Sequence, residues 1–452
     1  MSSKSRISVA FIDPPSGALG EPPESEEWME DLEGKIRDRL EETYPDIDFS
    51  YHQVREQDDV KEFLESEDQS AGFLVFTLNC IAGLVRPILQ SGKPTVLINE
   101  TYGGSGEYLI EYSRAKREGK PVVGVSVRDV TDEEVLENVK LLDVIGKLKD
   151  SKVLYIVSPG VGQIMDYEYP LSVDLWSSLR TIQNIAGISP ETLDVNDFVE
   201  EYYDKVDDAE AESISDRWME QAEAVEEEKI EEIKNSAKLY LAAKKAAEDR
   251  GADAIAIDCI VLYRNEFLDA WPCLAFREFY EEDDIVPVCE ADPYSAFSLL
   301  TMDYLAGLPG FINDPSPDDS KDEMVYYHCY APTNPHGDPK ERVPYKITPA
   351  HLGGKHASVC SELPTGEDIT VVGLDPDSKK WTLHTAEAVS NEESQHSCST
   401  KLVGKTDTET IAENWRDRTG WHRVVFYGDW REELKKLATL MGLEVWEEDV
   451  SD

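Results

Sequence analysis

Positive charge is what this sequence lacks most. Its 452 residues hold 44 Lys and Arg against 93 Asp and Glu, a formal net charge of −49. No basic stripe interrupts the acidity, which speaks against a nucleic-acid partner, since phosphates are met by clustered cations. Self-repulsion on this scale opposes a compact chain in dilute buffer. In molar salt the Debye length falls to ~3 Å and the repulsion is screened. Hydrophobic residues still make up 40% of the chain. Acidity with that apolar content points to a folded, halophilic protein of a salt-loaded cytosol rather than a disordered one.

Long apolar runs are missing as well. Stretches 71–76 and 255–257 fall far short of the ~20 residues that span a bilayer. The opening MSSKSRISVAFID has no long apolar signal region before its first strand pattern. The expectation is a cytoplasmic chain with no membrane partner. Cysteine is scarce: seven residues, an odd number, with no CxxC or CxxxC pair. Neither a disulfide framework nor a structural zinc site is expected. The turn at 158–162 (SPGVG) lacks both G-x-G-x-x-G and a Walker lysine, and no G-x-S-x-G elbow occurs.

What is present is an orderly alternation. Strand patterns at 6–12, 72–77, 94–98 and 122–126 are interleaved with helix patterns at 26–42, 81–89 and 132–148. Strands separated by helices at this spacing predict a parallel sheet. The pattern restarts at 152–157, with a long helix over 222–250, strands at 254–258 and 285–289, and a helix over 293–306 ended by Gly307. From about 321 short alternating runs divided by Gly, Pro and Asp replace it. The predicted fold class is α/β: two flavodoxin/Rossmann-like α/β domains (1–150 and 151–320) followed by a β-rich C-terminal domain (321–452).

The residues that carry chemistry lie in the second half. Glu290 and Asp292 follow an apolar strand and precede a helix, the place where open α/β sheets bind ligands. On an extended segment, two residues apart, they would share a face. Their repulsion is relieved by a divalent cation. Oxygen ligands with imidazole suit Mn²⁺, with Mg²⁺ or Co²⁺ as alternatives. His328 ends a strand pattern, and His422 sits between Trp421 and another.

Four motifs occur in order: Pro-Cys-Leu-Ala from Pro272, Cys-Glu-Ala-Asp from Cys289, His-Cys-Tyr-Ala-Pro from His328, and Gly-Trp-His-Arg-Val-Val-Phe-Tyr-Gly-Asp from Gly420. Together they resemble the L-fucose isomerase-like branch of the L-fucose/L-arabinose isomerase superfamily, over roughly 235–452. The resemblance implies three domains and a metal cleft between the second and third. It also implies a homo-trimer or homo-hexamer in which a neighbouring subunit contributes to the site. By it, Glu290 and Asp292 supply a metal ligand and a proton-transfer carboxylate, and His328 and His422 are further ligands. Another carboxylate is expected at the preceding strand end; Asp258 is the nearest match, with Glu266 as a fallback after a short insertion. The related arabinose isomerases carry paired histidines where this chain has His422-Arg423. Arg423 is then placed to hold an anionic substrate group, with Trp421 and Glu266 on the substrate side.

The implied activity is aldose–ketose isomerisation of a pentose, deoxyhexose or acidic sugar through a cis-enediolate. A metal-dependent sugar epimerase and a non-catalytic sugar-binding protein are the alternatives.

Overall fold

The computed structural model describes residues 4–14, 25–66, 69–79, 83–158, 175–225, 230–264, 267–338, 341–350, 356–393 and 397–451. They divide into two compact units, Met1–Asp150 with Glu432–Glu444, and Ser151–Arg431 with Val445–Asp452.

In the first unit, strands β1 (Arg6–Ile12), β2 (Asp48–Val54), β3 (Gly72–Thr77), β4 (Thr95–Glu100) and β5 (Val122–Val127) form one sheet in the order β2-β1-β3-β4-β5. Every pairing is parallel. This is the flavodoxin-like order. β3 and β4 are buried along their whole length, as expected of near-continuous apolar strands covered on both faces. The helix expected over 81–89 runs Val85–Gln90; residues 80–82 lie outside the described residues.

The second unit opens with a parallel sheet of β6 (Lys152–Val157), β7 (Ser189–Asp194), β9 (Ala254–Ile257) and β10 (Val286–Cys289), ordered β10-β9-β6-β7. The acid-dense stretch after 207 is a helix, Asp208–Gln221, because Asp207 caps it by accepting from the Ala209 and Glu210 amides. The long helix runs Ile230–Arg250 rather than from 222, and Ala224–Val225 forms the short strand β8.

Strands β13 (Tyr345–Pro349) and β14 (Ala357–Ser361) pair with β8 in a small sheet. Strands β11 (Phe311–Asp318), β12 (Glu323–His328), β15 (Glu367–Asp375), β16 (Lys380–Asn391), β17 (Thr400–Lys405) and β18 (Arg423–Tyr427) close on themselves in the order β15-β18-β11-β12-β17-β16, with β16 returning to β15. β19 (Glu444–Glu447) extends this sheet beyond β16. Phe311, Met324, Tyr326, Ile369, Val371, Leu402, Val425 and Tyr427 fill its interior, each strand contributing alternate residues as a small barrel requires. Gly404 is obligatory here: a Cβ would stand 2.8 Å from the Tyr326 ring. Two parallel α/β sheets followed by a β-rich barrel is the predicted fold class.

Candidate active site

β10 delivers the acidic motif. It ends at Cys289, and the chain then turns sharply because Glu290 and Ala291 both adopt left-handed backbone, at φ 54° and 50°. The expected extended path, with Glu290 and Asp292 on one face, is therefore not followed. Left-handed geometry costs an L-residue ~1–2 kcal/mol, and strain of this kind collects at functional sites. Asp292 then caps the helix Pro293–Ala306: its Oδ1 accepts from the Tyr294 amide at 2.9 Å and its Oδ2 from the Ser295 hydroxyl at 2.6 Å. Pro293 takes the first helical position, where no amide donor is needed.

The barrel supplies the facing groups. β11 lies between β12 and β18, with Asp314 opposite Tyr327 and Asn313 opposite Arg423. His422 directly precedes Arg423 and Asp314 directly follows Asn313, so the two lie just past the end of that pairing. His328, Asp314 and His422 thus come from three neighbouring segments.

The two imidazoles converge on Glu290, and Asp314 joins through His422. Nε2 of His328 lies 3.5 Å from Glu290 Oε1, and Nε2 of His422 lies 3.5 Å from Glu290 Oε2. His422 Nε2 is also 3.7 Å from Asp314 Oδ1, while its Nδ1 is 3.2 Å from Asp292 Oδ2. The two imidazoles stand edge to face, 5.5 Å between centroids. Glu290, His328 and His422 are all buried.

Burial alone would raise the Glu290 pKa, but hydrogen bonds and charge from His328 and His422 prevail and hold it far below the ordinary carboxylate range. Burial works the other way on His328, yet Glu290 and Asp314 push it up to about 9. His422 is likewise raised well above its ordinary value, against burial, through Asp292 and Glu290. Asp314 is raised, chiefly by burial. Asp292 is lowered, since His422, Ser295 and the Tyr294 amide outweigh its burial. Imidazoles that cling to protons report a strongly negative potential, the condition a divalent cation relieves.

The donor chemistry fits such an ion. Carboxylates of Glu290 and Asp314 with the imidazoles of His328 and His422 form an oxygen and nitrogen set suited to Mn²⁺, Mg²⁺ or Co²⁺. Nδ1 of buried His328 has no hydrogen-bond partner among the described residues. Cys289, Glu290 and His328 offer a second grouping, with one ligand atom from each within 4.8 Å of the others.

The other expected residues are distributed as follows. Asp258 is buried directly after β9, whose Ile257 pairs with Cys289, so it stands at the strand end next to Glu290. Trp421 is 36% exposed, donates from Nε1 to the Pro315 carbonyl at 3.1 Å, and meets Tyr327 edge-on. Glu266 and the turn expected at 158–162, from residue 159 onward, lie outside the described residues. Arg423 requires correction: it does not reach toward a substrate anion. Adjacent strand residues point to opposite faces, so His422 faces the cluster while Arg423 enters the barrel. There it is fully buried, ion-paired with Glu448 at 2.7 Å and stacked on Trp415 at 3.6 Å.

Sequence reasoning missed Asp314 and the nearness of Cys289. Asp314 sits in a Phe-Ile-Asn-Asp-Pro-Ser-Pro-Asp segment whose two prolines read as loop. The signal available was the apolar pair Phe311-Ile312 leading into it.

No protein-family model matches the chain. A sulfoquinovose isomerase from Clostridium sp. (strain MSTE9) is 27% identical over 221 residues. The match covers 46% of this chain and 46% of that protein, so the chain spans about half the length of the relative. The chain is thus related, at a distance, to a sugar isomerase.

Proposed function

We propose that this protein is a divalent-cation-dependent aldose–ketose isomerase, with Glu290, Asp314, His328 and His422 holding the cation. The observation that carries the reading is that buried His328 and His422 each stand 3.5 Å from buried Glu290, with half-buried Asp314 3.7 Å from His422. Kinship to a sugar isomerase supports it. When bound, the cation would supply electrostatic stabilisation to the enediolate oxygens.

The chain's own residues do the rest. Glu290, kept ionised by its two imidazole neighbours, and Asp314 are the carboxylates available to take the proton from C2 and return it to C1. Asp292 is a positioning residue, since both its oxygens are engaged by the helix cap and by His422. Such a carboxylate fixes the tautomer and orientation of a ligand histidine. Trp421 offers an exposed ring beside His422 for the apolar face of a sugar. The protein works in molar salt as a homo-trimer or homo-hexamer; this part of the reading rests on the charge balance and on the resemblance.

The test is turnover by metal-stripped protein in molar KCl, with and without Mn²⁺, on sulfoquinovose, pentoses, deoxyhexoses and sugar acids. Ketose formation that depends on Mn²⁺ and falls at least ~10²-fold in Glu290→Gln is expected. No ketose from any sugar with Mn²⁺ present, or full activity in Glu290→Gln, would remove the isomerase reading.

A further inference from the structure

A sulfur atom stands beside the oxygen and nitrogen donors. Cys289 is the last residue of β10, and Glu290 follows it. The Cys289 Sγ, a carboxylate oxygen of Glu290 and a ring nitrogen of His328 lie within 4.8 Å of one another, and all three residues are buried. A hard cation passes over this sulfur. Mn²⁺ or Mg²⁺, served by the oxygen and imidazole donors, gains little from sulfur. A thiophilic ion behaves otherwise, because coordination removes the thiol proton outright.

We propose that Cys289, Glu290 and His328 form a second, overlapping seat for thiophilic divalent ions such as Zn²⁺ or Cd²⁺. The S–H bond of Cys289 is exchanged for a sulfur–metal bond, the proton passes to solvent, and nothing is oxidised or reduced. Glu290 and His328 are shared with the hard-cation set, so the two ions exclude each other. The exclusion rests on the functional reading above; the sulfur seat rests on the three-residue geometry. One cluster then accepts a hard ion that supports turnover or a soft one that blocks it.

The experiment uses the metal-stripped full chain in molar potassium nitrate, titrated with Cd²⁺ and read by ultraviolet thiolate-to-metal absorption. Free Mn²⁺ is followed in parallel by electron paramagnetic resonance. Wild type is expected to develop the thiolate band and to release bound Mn²⁺ as Cd²⁺ is added. Cys289→Ser should lose the band and bind Cd²⁺ about tenfold more weakly or worse, while binding Mn²⁺ as before. The cadmium NMR shift of wild type, which separates sulfur from oxygen ligation without any substitution, covers a variant that fails to fold. An oxygen-only shift, or an undiminished band in Cys289→Ser, overturns the sulfur seat. Cd²⁺ and Mn²⁺ bound together without displacement overturns the overlap. Absence of Mn²⁺ binding by wild type counts against the hard-cation reading and leaves the cadmium result to be judged alone.

Discussion

At the scale of single residues, Asp292 carries two duties that substitution can separate. As a helix cap, Asn serves about as well as Asp, whereas Ala costs ~0.5–2 kcal/mol. As the carboxylate facing His422 Nδ1, Asn lacks the charge. Asp292→Asn is therefore expected to melt close to wild type while Mn²⁺ affinity falls ~10–100-fold. Unchanged affinity with lowered stability would reduce Asp292 to a cap. Ala291 makes a parallel case. Ala291→Gly relieves left-handed strain but removes a buried methyl worth ~0.8 kcal/mol, so stability should barely move. Glu290, no longer held, should lose roughly tenfold or more in kcat. A kcat equal to wild type would show that the turn does not aim the carboxylate. The sequence made Glu290, Asp292, His328 and His422 readable as candidates, because strand ends and motif order are local features. Which side each faces is set by a turn and by barrel alternation, so the neighbouring residues His422 and Arg423 take opposite sides with no local mark to tell them apart.

At the scale of elements, the barrel is tied by a buried charge network. Glu448 accepts from Arg423 at 2.7 Å and meets His384 Nδ1 at 2.9 Å, while His384 Nε2 meets the Tyr326 hydroxyl at 3.0 Å. Burial raises the Glu448 pKa, but Arg423 and His384 bring it down to about 2 from an ordinary 4.5. A folded-state pKa below the unfolded one contributes stability that is present above pH 4.5 and lost as the pH falls toward 2. Glu448→Gln leaves Arg423 buried without a countercharge, a loss of ~3–5 kcal/mol. Chemical denaturation at neutral pH should show that loss, and the gap between variant and wild type should narrow from pH 4.5 downward. A gap that is constant with pH would mean the carboxylate charge is immaterial. The barrel strand β11 was hidden from sequence reading by Pro315 and Pro317. They are tolerated because β18 pairs only as far as Asn313. The Pro315 carbonyl, which accepts from Trp421, faces that unpaired side, and its nitrogen does likewise, so no ladder bond is lost. The central parallel strands were legible for the opposite reason, since β3 is a buried, largely apolar run; β2 and β7, polar and partly exposed at the sheet edges, left no such signal.

At the scale of the whole molecule, 93 acidic residues stand against 44 basic ones. Many exposed pairs, such as Lys35–Asp31 and Lys245–Asp249, contribute little each, and the surplus acids repel. Raising KCl from about 0.1 M to about 1 M shortens the Debye length from ~10 to ~3 Å, so the melting temperature should climb over that range. A melting temperature that is flat or falling with KCl would contradict the salt-adapted reading. The grouping of residues 432–444 with the N-terminal unit left no local mark in the sequence, because it depends on packing between segments far apart in the chain. Side chains from the turn after β10, from β11 and β12, and from the entry to β18 are expected to meet around one cation. Anomalous diffraction from a crystal grown with Mn²⁺ tests it most directly. One strong peak within bonding distance of Glu290, Asp314, His328 and His422 is expected; a peak elsewhere, or none at saturating Mn²⁺, would contradict it.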